Sequence, residues 1–134
     1  MAKKSIFRAK RVANESVSGW LDDHAVVVED GLITAVEPAT NISSAGDSYE
    51  VFDLGDVSLL PGLVDAHCHM HCSATHDAQQ LALTENDQQL TIRATNNMRK
   101  AVLAGTTTIR DLGSRNEVAF AVRQMIEDGH VPGP

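Results

Sequence analysis

A short segment with three alternating histidines carries the residues best suited to chemistry. Residues 65–72 read D-A-H-C-H-M-H-C, so that His67, His69 and His71 are spaced two apart. In an extended strand such residues project from one face, and His67 and His69 would lie about 7 Å apart along it. Neutral imidazole is a good ligand for Zn²⁺ and other divalent first-row metals. Two imidazoles on one face of a strand can therefore converge on one metal ion.

The elements around this segment would place it where parallel α/β proteins carry their active sites. Residues 59–67 combine a Pro-Gly turn with an apolar run, which predicts a parallel strand over residues 62–70, buried on both faces. Apolar residues at helical spacing predict helices over residues 86–104 and 116–128, and the β-branched run 106–110 predicts a strand between them. Strands that alternate with helices indicate a parallel sheet. The histidines would stand at the carboxyl end of its first strand.

Local signals also predict the starts and the buried faces of the two helices. Thr84 with Asp87, and Ser114 with Glu117, have the spacing of N-terminal capping pairs. The apolar stripes consist of Leu90, Ala94 and Met98 in the first helix and of Val118, Val122 and Met125 in the second. Because only two strands are present to cover them, we expect both stripes to need neighbours outside this chain.

The first third of the chain predicts a small β-sheet module without chemistry. Residues 25–29 and 32–36 flank Asp30-Gly31, a turn pair typical of a tight hairpin. After a polar stretch over residues 40–48, residues 49–54 predict a further strand. The expected division is residues 1–57 for this module and 58–134 for the β/α part.

Four segments resemble the amidohydrolase superfamily. Residues 60–69 (L-P-G-L-V-D-A-H-C-H) resemble its metal-binding signature, and residues 53–59 match the usual lead-in. Residues 105–113 (G-T-T-T-I-R-D-L-G) resemble its second barrel strand, and residues 30–33 its N-terminal hairpin. The likeness is greatest to the branch with imidazolonepropionase-like and zinc dipeptidase-like members.

This resemblance implies an α/β fold: the N-terminal part of a (β/α)₈ TIM barrel, preceded by a small β-sandwich subdomain and incomplete in this chain. It implies one or two divalent metal ions, Zn²⁺ being expected, with His67 and His69 as ligands of the more buried one. The remaining ligands and the catalytic aspartate come from later strands in that family. No catalytic residue is therefore assigned in residues 1–134.

Four further residues are candidates for the pocket or for contacts behind the metal ligands. His71 shares the face of His67 and His69, and Arg110 and Asp111 end the second predicted strand. Asp65 is expected to make a structural hydrogen bond within the motif. The simpler alternatives are a pocket-lining or strand-capping role for His71 and an ion pair or turn cap for Arg110 and Asp111.

The implied function is hydrolysis of a carbon–nitrogen bond in an amide, a dipeptide or an N-acyl amino acid by a metal-activated water. With about two of eight barrel units, the chain is expected to be a fragment that is inactive alone. The expected partners are a small-molecule amide or peptide substrate and either further copies of the chain or the remainder of the barrel. Val64, Ala66, Ile109, Val118 and Val122 are then expected to be exposed in the lone chain.

Composition excludes several other classes. With 11 basic and 18 acidic residues the formal charge is −7, which argues against a nucleic-acid partner. No apolar run suits a signal peptide or a membrane span. Cys68 and Cys72 form no disulfide framework, so a cytoplasmic location is expected.

Two alternatives remain open at this level. A small non-catalytic metal-binding protein could use mixed Cys and His ligands, among them Cys68 and Cys72. Consecutive strand residues point in opposite directions, however, and cannot all reach one ion. A purely structural α/β module is the second alternative.

Overall fold

The computed structural model describes residues 4–42 and 49–134 and divides them into two compact units. The division falls after Pro61, whereas the sequence suggests a boundary after Val57. Part of the polar stretch expected over residues 40–48 lies outside the described residues. Within the described residues, no helix is both long and apolar enough to cross a membrane.

The first unit is a five-stranded sheet. Its strands are β1 (Lys4–Ala13), β2 (Trp20–Glu29), β3 (Leu32–Pro38), β4 (Glu50–Asp53) and β5 (Ser58–Leu59). The order is β3-β2-β1-β4, and β5 also pairs with β1. The first three strands are antiparallel, and β4 and β5 run parallel to β1. Ala9, Val12 and Val26 form its small core.

The hairpin expected at Asp30-Gly31 is confirmed. Both residues have positive φ, 51° and 82°, as a two-residue turn between right-twisted strands requires. Two features of this unit were not predicted. β1 was missed, and β2 begins at Trp20 rather than at Ala25, because tertiary pairing with β1 extends it through polar residues.

The second unit contains β6 (Leu63–Cys68), α1 (Ala78–Thr84), α2 (Asp87–Leu103), β7 (Thr106–Asp111) and α3 (Val118–Glu127). β6 and β7 are parallel neighbours, which confirms the predicted parallel β/α order. The short helix α1 lies between the predicted strand and the first predicted helix, where the sequence predicts no element.

Both predicted capping pairs are wrong. Asn86 caps α2: its side chain accepts from the Gln89 backbone N–H, and the Gln89 side chain accepts from the Asn86 backbone N–H. α3 starts after Glu117 without a side-chain cap. Ser114 instead lies within hydrogen-bond distance of His71. α2 and α3 start one and two residues later than predicted, a difference within the ordinary range for helix ends.

The expectation that the two helix stripes need outside neighbours is wrong for most of their residues. Leu90, Ala94 and Met98 of α2 pack with Met70 and with two residues of α3, Val118 and Val122. Val118 and Val122 are only 2% and 1% exposed. Helix-on-helix packing therefore closes this core within the chain.

The expectation of exposure holds for β6 and only in part for β7. Leu63 and Val64 of β6 are 57% and 69% exposed, and Ala66 is exposed. Ile109 of β7 is partly buried against the helical core. Residues 63–67 of β6 are thus exposed on both faces of the strand, in contrast to the burial predicted from its apolar run, and only Cys68 is partly buried.

Candidate metal centre

The paired carboxyl ends of β6 and β7 carry the candidate residues. The Leu63 N–H donates to the Gly105 carbonyl at the start of the pair, and the Leu112 N–H donates to the Cys68 carbonyl at its end. His67 lies within β6 and His69 directly after it. The predicted parallel strand is therefore confirmed, with an end two residues before Met70.

The imidazole rings of His67 and His69 are neighbours in an edge-to-face arrangement. Their centroids are 5.6 Å apart, and the ring planes meet at 72°. Both side chains are exposed to solvent. Asp65 accepts a hydrogen bond from the His67 backbone N–H through Oδ1 at 3.0 Å, the kind of structural bond expected for this residue.

The hydrogen-bond partner of the His69 ring favours one of its two neutral tautomers. Its Nδ1 lies 2.8 Å from the carbonyl oxygen of Gly113. Because a carbonyl oxygen can only accept, Nδ1 must carry the proton, and the neutral ring presents its lone pair at Nε2. A backbone carbonyl behind Nδ1 is the common arrangement for a histidine that binds metal through Nε2.

Asp111 forms hydrogen bonds at the end of β7, and Arg110 is exposed beside it. The Asp111 carboxylate accepts from the Met70 N–H at 3.0 Å and from the Gly113 N–H at 2.8 Å. The structure thus gives Asp111 backbone partners on both strand ends. Arg110 projects from the same strand end into solvent.

His71 does not continue the alternation expected from the sequence. β6 ends at Cys68, and Met70 and His71 form a turn, so that His71 is only 9% exposed. Its ring centroid lies 6.3 Å from that of His69, and its Nδ1 is 3.3 Å from Ser114 Oγ. Burial lowers the pKa of the His71 imidazole, with smaller opposing and reinforcing effects from neighbouring charges.

Cys68 faces the helices, as alternation predicts. It packs against the core formed by α2 and α3 and is partly buried. Burial, aided by the nearby Asp65 and Asp111 carboxylates, raises the pKa of its thiol. Since the thiolate is the form that binds metals, this environment disfavours Cys68 as a ligand.

The donor set fits part of a metal site. Two exposed imidazoles with an available Nε2 suit a divalent ion such as Zn²⁺. Over the stretches that the structure describes, however, no group of three or more His, Cys, Asp or Glu side chains is arranged to hold an ion. His67 and His69 could therefore supply two ligands of a larger set.

Two supporting residues were missed by sequence reasoning. The Gly113 carbonyl oxygen orients His69, and Asn97 of α2 donates from Nδ2 to the Met70 carbonyl at 2.9 Å. Gly113 gave no steric signal for this contact, since a Cβ at that position would lie at an ordinary 3.7 Å from the His69 ring. Nothing in the helical pattern distinguishes Asn97 from a solvent-facing polar residue.

Curated relatives match this chain over part of their own length. An imidazolonepropionase from Solibacter usitatus is 34% identical over 106 residues, which is 78% of this chain and 24% of the relative. An adenine deaminase from a Bradyrhizobium species is 26% identical over 132 residues, which is 96% of this chain and 19% of the relative. The chain thus spans a quarter or less of these proteins.

Solved structures share the fold. A Xaa-Pro dipeptidase crystallised with methionine in its active site superposes with a TM-score of 0.83 at 25% identity, over 98% of this chain and 32% of that one. Such neighbours are amidohydrolase TIM-barrel proteins. They confirm the predicted fold class, an α/β chain that holds the N-terminal part of such a barrel.

The match to a family is independent of any single relative. The model of the Amidohydrolase family matches residues 58–134, which include His67, His69, Arg110 and Asp111. This match covers more than half of the chain. The chain belongs to the Amidohydrolase family.

Proposed function

We propose that this chain is the metal-binding part of a hydrolase that breaks a carbon–nitrogen bond, with His67 and His69 as two of its metal ligands. The observation that carries the proposal is the His69 ring, whose Nδ1 is engaged by the Gly113 carbonyl while its Nε2 is left available. The neighbouring His67 ring, 5.6 Å away, offers a second imidazole at the same strand end.

The residues of this chain would bind the metal ion and hold its ligands in position. Asp65 holds the backbone of His67, and Gly113 holds the ring of His69. The two exposed imidazoles would hold the ion at the carboxyl end of β6. When bound, a divalent metal supplies a water of lowered pKa and polarises the scissile carbonyl.

The substrate class is proposed as an amide, a dipeptide or an N-acyl amino acid. Support comes from the names of relatives, which include a dipeptidase and a deaminase, both of which break carbon–nitrogen bonds. Zn²⁺ is the proposed ion because imidazole is among its preferred ligands.

The geometry disfavours a small Cys/His metal-binding protein. Cys68 packs into the helical core and has a raised pKa, so that it neither faces the histidines nor favours the thiolate. A purely structural module would leave two exposed imidazoles at a strand end without a role.

Metal binding provides the first test. Zn²⁺ titrated into the chain should shift the ring nitrogen NMR signals of His67 and His69, and His69→Ala should remove the shift at His67. The matched control is His24→Ala: His24 lies on β2 in the other unit, and its Nδ1 also contacts a backbone carbonyl, that of Asp22, at 2.6 Å. Equal Zn²⁺ binding by all three proteins would refute the assignment.

Activity provides the second test, in the whole open reading frame that contains this sequence. His69→Ala there should lower hydrolysis of dipeptides or N-acyl amino acids by more than the roughly 10–100-fold typical of residues behind a ligand. Full turnover with unchanged zinc content in the variant would contradict the proposal. His24→Ala should retain both.

A further inference from the structure

One carboxylate, that of Asp111, makes backbone hydrogen bonds on both sides of the His69 ring. Its Oδ2 accepts from the N–H of Met70, the residue directly after His69, at 3.0 Å. Its Oδ1 accepts at 2.8 Å from the N–H of Gly113, whose carbonyl oxygen engages the His69 ring. Asp111 therefore ties together the backbone that carries the ring and the backbone that orients it.

The contact lies where regular strand pairing stops. The register of β6 and β7 ends with Cys68 opposite Asp111, and the Leu112 N–H donates to the Cys68 carbonyl at 2.9 Å. Beyond this point the Asp111 side chain takes the place of a backbone acceptor for Met70. The carbonyl of Met70 is held from the other side by Asn97 of α2.

The Gly113 carbonyl needs such support. Glycine has the greatest backbone freedom of any residue, so its carbonyl keeps one direction only if the chain beside it is held. The Asp111 bond to the Gly113 N–H supplies that restraint. An unpaired N–H at this turn would let the carbonyl leave Nδ1 of His69.

We propose that Asp111 is a positioning residue, which fixes the Nδ1–H tautomer of His69 and the direction of its Nε2. This inference rests on the proposed function, because it is as a metal ligand that the direction of Nε2 matters. Asp111 touches neither substrate nor metal in this role. It acts through Gly113 and Met70.

The conservative variant Asp111→Asn tests the hydrogen bonds of Asp111 while it keeps the size of the side chain. The amide has the size of the carboxylate but one acceptor oxygen, so one of the two N–H groups loses its partner. The matched control is Asp53→Asn. Asp53 Oδ1 accepts from the Gly55 N–H at 3.0 Å, the same spacing of two residues in the other unit and without a histidine.

The readout is the tautomer of His69 in the metal-free chain, measured by long-range nitrogen–proton NMR at about pH 8, above the ordinary histidine pKa. Unaltered chain and Asp53→Asn should both show the Nδ1–H form. Asp111→Asn should show a mixture with Nε2–H. A folded Asp111→Asn chain with unchanged tautomer would overturn the proposal, since a purely structural aspartate does not move this signal.

A measurement on the unaltered chain covers the case in which Asp111→Asn fails to fold. An Nε2–H form of His69 there overturns the proposal, and the Nδ1–H form with slow exchange of the Met70 and Gly113 amide protons supports it. Zn²⁺ titration adds the link to function: Asp111→Asn should bind about 10–100-fold more weakly than Asp53→Asn. If Asp111→Asn changes the tautomer of His69 but the unaltered chain binds no Zn²⁺, the positioning role of Asp111 is supported and only the proposed metal binding is refuted.

Discussion

Gly62 lies so close to β7 that a side chain at this position has no room. A Cβ atom there would lie 1.9 Å from Oγ1, 2.5 Å from Cγ2 and 2.7 Å from Cβ of Thr107. The last of these atoms is fixed to the β7 backbone, so rotation of the threonine cannot relieve the contact. The glycine of the P-G-L motif thus allows β6 to start directly against β7.

Gly62→Ala should therefore destabilise the chain by about 1–3 kcal/mol, the usual cost of overpacking. Urea unfolding of the chain measures this change. Thr107→Ala in the same chain should restore part of the loss, because it removes two of the three close atoms. The control is Gly113→Ala, where the added Cβ would lie at an ordinary 3.7 Å from His69 Cε1. Equal unfolding free energies for Gly62→Ala and the parent would disprove the steric role.

The three histidines of this segment have different surroundings. His67 and His69 are exposed and paired, whereas His71 is buried beside Ser114. The three were equivalent in the alternating pattern. Their separation follows from the end of β6 at Cys68, after which the chain turns inward.

At the scale of elements, a polar network joins the start of α2 to the loop before α3. Arg115 donates from Nε to Asp87 Oδ1 at 2.8 Å, and Asn116 donates from Nδ2 to Asp87 Oδ2 at 2.8 Å. Beside it, Arg93 of α2 donates to the carboxylate of Glu85. The bonds from Asn116 and Arg115 lower the pKa of Asp87, and those from Arg93 lower the pKa of Glu85.

This network should make the stability of the chain sensitive to acid. A carboxyl group whose pKa is lowered by folding stabilises the native state above its unfolded pKa, about 4. That contribution is lost as the pH falls through the lower, folded pKa. The thermal midpoint should therefore drop below about pH 4.

The double variant Glu85→Gln/Asp87→Asn should be less stable at neutral pH and lose less stability in acid. Thermal unfolding followed by circular dichroism across this range measures both effects. Glu117→Gln, which alters an exposed glutamate before α3, is the control and should follow the parent. Parallel pH curves for the double variant and the parent would show that other carboxylates cause the acid sensitivity.

At the scale of the whole molecule, the second unit has a closed helical core beside exposed strand residues. Leu90 and Val122 are fully buried, whereas Leu63 and Val64 are among its exposed apolar residues. The chain covers 32% of the Xaa-Pro dipeptidase structure that it resembles. We propose that the exposed residues of β6 pack against further polypeptide, either the rest of a barrel or another copy of this chain.

The chain alone should therefore bind Zn²⁺ weakly and hydrolyse neither dipeptides nor N-acyl amino acids. Catalytic zinc commonly has three protein ligands, and His67 and His69 supply two. The assay uses the purified chain with added Zn²⁺, with His69→Ala purified in the same way as the control. Hydrolysis that persists in both comes from a contaminant. Hydrolysis that disappears in the variant would contradict the prediction.

The sequence by itself determined much of the architecture. The Asp30-Gly31 hairpin, the strand before the histidines, the two long helices and the family all follow from local patterns. Backbone preferences, period-2 and period-3.6 spacing and short motifs are properties of neighbouring residues, so they can be read without coordinates. The closeness of the His67 and His69 rings also follows from such a local pattern, the period-2 spacing of a strand.

Only the tertiary structure decided what lies behind the candidate ligands and which faces are covered. Ser114 had the spacing of a helix cap but pairs with His71, and Asp111 bridges Met70 and Gly113. These partners, like the Gly113 carbonyl behind His69, are brought together by the pairing of β6 with β7. β6 and β7 are separated in sequence by α1 and α2, so their pairing depends on long-range contacts, which no local pattern encodes.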